Sequence, residues 1–308
     1  GKEAVGSVLL VAFHFPPVGA SSGVQRTLSL CRQLPSLAWR PLVLSAHPRA
    51  YGITNDGQLA DIPKDTVVKR AAAFNTRKHL AVRGRYFKYM ALPDHWISWF
   101  FAAVPAGLGL IRRHRAAVLW STYPIATAHL IGLALHRLTG LPWVADFRDS
   151  MTEPHYPPHR TQRRIYRWIE RKTVQHCARA VFTTPGAVEM YRRRYPQIPA
   201  DREMLRSNRY DEAAFDEVAD SVSRHCDRRP DHLVTLLHSG VVYPSERDPS
   251  QLFEALARLK ASGTIDASKL RVRFRACRHM ELLSAMVHEH GVDDLVELLP
   301  GLPYREAL

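Results

Sequence analysis

Residues 8–30 read VLLVAFHFPPVGASSGVQRTLSL, and no other stretch limits the fold as tightly. A β-branched and aliphatic run, Val8 to Phe13, is broken by Pro16–Pro17. Gly19 and Gly23 follow in a loop of small residues, and a helical pattern begins near Ser22. A buried strand that passes through a glycine-rich turn into a helix opens a βαβ unit. It also aims backbone N–H groups and the positive helix end at one point, a geometry that suits phosphate. The stretch contains neither GxGxxG nor GK[ST], so dinucleotide and P-loop sites are not supported. An ordinary βα turn explains the two glycines equally well.

The alternation continues along the chain. Strands are expected at 7–13, 42–46, 66–70, 117–121, 143–147, 180–184 and 203–206, with helices at 22–37, 95–114, 125–139, 161–178 and 186–194. Such spacing predicts an α/β fold with a parallel sheet covered on both faces. The polar segment 207–232 breaks the pattern and reads as a linker between a first domain, 1–206, and a second, 233–308. Strands at 233–238, 271–275 and 295–298 then alternate with helices at 249–261 and 279–290. A further helix begins at 304–308. Three strands make a poor domain, so the second domain is expected to be truncated and the natural chain to continue.

Composition removes several classes. No apolar run reaches the roughly 18 residues of a membrane span. No secretory signal precedes the first strand, and the opening Gly1 points to a trimmed start. Four scattered cysteines without CxxC read as reduced thiols of a cytoplasmic protein. Through residue 230 there are 34 Lys and Arg against 18 Asp and Glu, whereas 231–308 hold 9 against 11. A basic first domain suits an anionic partner, although Arg-rich composition alone gives the same count. No helix-turn-helix, RRM or zinc-finger pattern accompanies the charge, so nucleic acid is not an expected partner.

Ligands of two-domain α/β proteins lie at the carboxyl ends of the strands. There ADFRDS sets Asp146, Arg148 and Asp149 together, either paired with one another or facing a cleft. STYPIATAHL places Ser121, Thr122 and Tyr123 where they either cap the next helix or line a cleft. LLHSGVVYPSERDP brings His238, Gly240 and Arg247. Gly240 permits close backbone approach, and Arg247 beside a helix start is a phosphate ligand or a solvated side chain. Asn208 and Asp211 contact a ligand or form a turn. Arg160, Arg164, Arg167 and Arg171 fall on one helix face, either solvated or turned to an anionic membrane surface. No metal is expected: adjacent His288, Glu289 and His290 point apart on a helix, and HExxH is missing.

In order along the chain, FPPVGASSGVQR, STYPIATAHLIGLALHRLTGLPWVADFRDS, FTTPGAVEMYRRRYP, SNRYDEAAF, LLHSGVVYPSERDPSQLFEALARL and LPGLPYREAL resemble glycosyltransferase family 4. The resemblance implies a GT-B fold: two Rossmann-like domains around a cleft. It implies that Gly19 and Gly23 approach donor phosphates and acceptor; from their strand-end positions, Tyr123, Asp146, Asn208 and His238 are candidates to line the cleft. Arg148, flanked by Asp149 and read with it as the catalytic pair, stands where the family often has a histidine near the reacting sugar. Gly240 and Arg247 fall on the diphosphate side, where Val241 replaces a usual arginine. Arg209 and Ala276–Cys277 replace usual glycines, and the family's acidic donor motif would lie past Leu308. The implied activity is retaining transfer of a sugar from a nucleotide-sugar, a co-substrate rather than a cofactor, to a glycan or lipid-linked acceptor. The setting implied is cell-envelope or exopolysaccharide synthesis at the inner membrane face. A non-catalytic, truncated GT-B homologue that acts as a binding module is the alternative.

Overall fold

Alternate residues of the first strand feed two different cores. In this computed structural model, residues 6–19, 23–76, 92–207, 233–242, 248–277 and 279–302 are described. Strand β1 (Gly6–Val11) sends Leu9 and Val11 to one face of a sheet. Val8 and Leu10 point to the other, where Val24, Leu28 and Cys31 of helix α1 (Gly23–Gln33) receive them. The period-2 pleat thus makes an unbroken apolar run the signature of a strand covered on both sides. Full burial of each such leucine contributes about 1.5–3 kcal/mol.

The chain divides into two compact units, Gly1–Tyr210 and Asp211–Leu308. The first holds strands β2 (Trp39–Ala46), β3 (Val67–Ala71), β4 (Ala116–Thr122), β5 (Trp143–Asp146), β6 (Arg179–Phe182) and β7 (Glu203–Leu205) beside β1. They form one parallel sheet in the order β3-β2-β1-β4-β5-β6-β7. Helices α2 (Ser98–His114), α3 (Ala126–Thr139), α4 (Arg160–His176) and α5 (Pro185–Arg194) complete it. The order reverses between β1 and β4, which opens a crevice at their carboxyl ends.

Helix α1 stops at Gln33, short of the expected residue 37. Pro35 supplies no N–H, so Leu34–Leu37 tightens into a 3₁₀ turn that ends at Ala38 with φ 60°. Helix α3 lies close to the sheet through Gly132, where a Cβ would sit 2.7 Å from the Trp143 ring. Its start is not capped by Ser121, Thr122 or Tyr123. Asp94, 33 residues earlier, accepts from the Thr127 N–H and hydroxyl at 2.9 Å each. Ser121 instead accepts from Trp143 Nε1 at 2.9 Å and meets His129 Nδ1 at 2.8 Å.

In the second unit β8 (Val234–Ser239), β9 (Leu270–Arg275) and β10 (Val296–Leu299) form a parallel sheet in the order β10-β9-β8. Helices α6 (Ser250–Ala261) and α7 (Met280–Glu289) pack on it through Phe253, Leu256, Leu283 and Val287. Residues 208–232, most of the expected linker, and 303–308 lie outside the described residues. No helix among the described residues is long and apolar enough to cross a membrane.

Candidate functional site

The crevice of the first sheet is built by the segments that leave β1, β4 and β5. From β1 the chain runs through Phe13, His14 and Phe15 into Pro16–Pro17. Burial, reinforced by the Arg148 cation, lowers the His14 pKa to about 4. The imidazole is therefore neutral at pH 7 and offers one donor and one acceptor. His14 has no role in the sequence reading. Its only signal is a titratable residue inside the apolar run VAFHF, at a strand's carboxyl end.

Beyond β5, Arg148 has φ 51°, the left-handed region, which costs a non-glycine residue about 1–2 kcal/mol. Thr183 donates to its carbonyl at 2.6 Å and anchors the turn to the end of β6. Burial lowers the Arg148 pKa while Asp149 and Asp146 oppose that shift. Arg148 Nε is buried without a partner among the described residues. A left-handed backbone that carries a half-buried guanidinium with an unsatisfied Nε is a ready site for an anion or a sugar oxygen.

Asp146 has another role than the one expected. It neither pairs with Arg148 nor lines an open cleft. Fully buried, it accepts from Arg26 Nε at 2.7 Å and Nη2 at 2.8 Å, and from the Thr122 hydroxyl at 3.2 Å. Arg26 also donates to the Arg206 carbonyl at 3.2 Å. One guanidinium thus ties the first turn of α1 to the ends of β5 and β7. An arginine at a helix N-terminus opposes the dipole, and the bidentate carboxylate offsets this. Tyr123 is also not cleft-lining, being 1% exposed with its hydroxyl 3.4 Å from that of Tyr156.

The glycines have structural reasons. At Gly19 a Cβ would come 2.9 Å from Ile53, and its N–H is spent on the Ile53 carbonyl at 2.8 Å. Gly23 is buried at the first position of α1. Gly240 has φ 133° and its N–H bonds the Arg275 carbonyl at 2.9 Å. Backbone conformation favours glycine there, and no described protein atom lies within 4 Å of where a Cβ would sit. His238 packs against Phe274 with ring centroids 5.7 Å apart, and its Nε2 has no partner among the described residues. Asn208 and Arg247 lie outside the described residues. The described residues contain no group of three His, Cys, Asp or Glu that could hold a metal ion.

A family model described as a glycosyl transferase 4-like domain matches residues 22–209, more than half of the chain. The chain belongs to this glycosyl transferase 4-like family. No curated protein matches it in sequence. Among solved structures, sucrose-phosphate synthase from Thermosynechococcus elongatus is similar at 12% identity and TM-score 0.64. That match covers 98% of this chain and 72% of the other. HepE from Anabaena, in complex with UDP-glucose, is similar at 10% identity and TM-score 0.59, covering 97% and 70%. UDP-N-acetylglucosamine 2-epimerase from Neisseria meningitidis, bound to UDP-GlcNAc, is similar at 10% identity and TM-score 0.55, covering 97% and 73%. The fold is therefore GT-B, as the motif order implied.

Proposed function

We propose that this chain is a retaining glycosyltransferase that moves a sugar from a nucleotide-sugar donor to a glycan or lipid-linked acceptor in cell-envelope or exopolysaccharide synthesis. The observation that carries the reading is Arg148. It is a half-buried cation whose buried Nε has no partner among the described residues, beside the neutral His14 at the strand ends of a glycosyl transferase 4-like domain.

Transfer breaks the bond between the anomeric carbon and the diphosphate oxygen, forms one to the acceptor oxygen on the same face, and passes the acceptor hydroxyl's proton to the departing diphosphate oxygen. Charge grows on the leaving diphosphate, and fixed cations and N–H groups aimed at it lower the barrier. In this reading Arg148 and Asp149 hold the reacting sugar and acceptor, and His14 takes a sugar hydroxyl. Arg247 meets the diphosphate, and neither metal nor other cofactor takes part. The protein works at the cytoplasmic membrane face, with the arginine face of α4 turned to anionic lipid. The basic first unit supports an anionic acceptor or surface.

Incubation with UDP-, GDP- and ADP-sugars, following nucleoside diphosphate release and product configuration by NMR, tests the proposal. Turnover of at least one donor with the anomeric configuration kept is expected. Failure to bind any donor refutes it, and return of the donor as an epimer assigns a different reaction.

A further inference from the structure

Away from the strand ends, α4, the end of α5 and residues 152–154 enclose a pocket of about 640 Å³. Its wall carries Arg164, Arg167, Trp168, Arg171 and Arg194. The pocket is organised from behind by Glu170, which is fully buried. Glu170 accepts from the Tyr195 hydroxyl at 2.7 Å, Arg194 Nη1 at 2.8 Å, the Tyr191 hydroxyl at 3.0 Å and the Thr152 hydroxyl at 3.1 Å. Arg194 is thereby fixed in place while its side chain stays 28% exposed.

Helical spacing sets Arg164, Trp168 and Arg171 on one outward face, with Arg167 beside them. All four are exposed, Trp168 by 42%. Among the described residues Arg164, Arg167 and Arg171 form no ion pair; the acidic side chain in the pocket wall is Glu153. Like charges held together without partners repel, and a multivalent anion relieves that repulsion. Each guanidinium fork matches phosphate oxygens.

We infer that this pocket takes the phosphate head group of an anionic phospholipid and seats α4 on the bilayer. The inference rests on the membrane reading given above and narrows it from a charged face to a defined pocket. Two features favour a lipid surface over a free phosphate. The arginine row from Arg160 to Arg171 runs about 16 Å along the helix at 1.5 Å per residue, longer than one small anion. An exposed indole among arginines also suits the head-group layer, where apolar ring and polar N–H both find partners.

Co-sedimentation with phosphatidylcholine vesicles, with and without phosphatidylglycerol, tests the assignment. The wild type is expected to bind only the vesicles that contain phosphatidylglycerol. The variant R164Q/R171Q is expected to bind about thirtyfold more weakly, at about fivefold for each arginine removed. R160Q, on the same face but outside the pocket wall, is expected to lose less than about twofold, below the value for a simple charge count. These side chains are exposed, and unchanged thermal melts show that the variants fold. Equal losses for R160Q and R171Q overturn the pocket and leave a merely charged face. Absence of wild-type binding to anionic vesicles overturns pocket and membrane reading together. Binding of inorganic pyrophosphate or an oligoribonucleotide without vesicle binding, lost in R164Q/R171Q, assigns the pocket elsewhere and also overturns the inference. Donor turnover enters none of these outcomes, so their failure leaves the transferase reading standing.

Discussion

Replacing Arg26 by Met tests how the glycine-rich loop is tied to the sheet. The wild-type guanidinium is 8% exposed and makes two short bonds to Asp146, whose side chain is 0% exposed. Methionine keeps much of the volume and removes the charge. Among the described residues Asp146 then retains the Thr122 hydroxyl at 3.2 Å as its side-chain donor. Two charge-assisted bonds contribute about 1.5–3 kcal/mol each, and stranding a buried carboxylate costs about 3–5 kcal/mol in all. The Arg206 carbonyl also loses the two bonds from Arg26, which puts the expected loss in the upper half of that range. Urea denaturation of wild type, R26M, D146N and R26M/D146N forms a double-mutant cycle for the first unit. The double variant should recover at least about 1.5 kcal/mol relative to the sum of the singles, because no unpaired charge remains. Loss below about 1 kcal/mol in R26M, or simple additivity, would show that the pair is solvated and does not fasten α1.

Stability should also respond to acid through two buried histidines. Burial lowers His129 to about 3 and His14 to about 4, both below the ordinary 6.5. Their unfolded forms therefore bind protons first. Stability is complete above pH 6.5 and falls as pH drops toward those values, by up to about 1.4 kcal/mol per pH unit for each group. In H129L the slope between pH 6 and 4 should decline, as read from urea midpoints; an unchanged slope refutes the assignment. In G132A the added methyl would meet the Trp143 ring at 2.7 Å and Ser121 Oγ at 2.9 Å. Thermal melting should show a loss of about 1–3 kcal/mol, and a neutral outcome would mean that α3 moves off the sheet freely.

The strands and helices were legible because each carries a period. Val8–Val11 reads as a doubly covered strand, and β2, β4, β5 and helices α1 to α5 fall within a few residues of their expected places. The site was legible only where its chemistry is local. ADFRDS marked Arg148, yet the partner of Asp146 is 120 residues away in α1, and nothing local in VQRTL announces it. Pairing across the sheet depends on strand order, so an argument from sequence neighbours offered Asp146 only Arg148 or a cleft and not Arg26. Asp94 as the cap of α3 escaped for the same reason. That the Gly19 and Gly240 N–H groups bond backbone carbonyls could not be read from sequence. A glycine chosen for packing or backbone angle looks the same as one that frees an N–H for ligand.

The kinetic comparison of wild type with Arg148→Gln on a donor that is turned over tests the central claim. If Arg148 acts on the reacting groups, kcat should fall by about 100- to 1000-fold while urea stability stays within about 1 kcal/mol. Unchanged kcat, with donor still consumed, would remove Arg148 from the chemistry and move the site away from the β5 strand end.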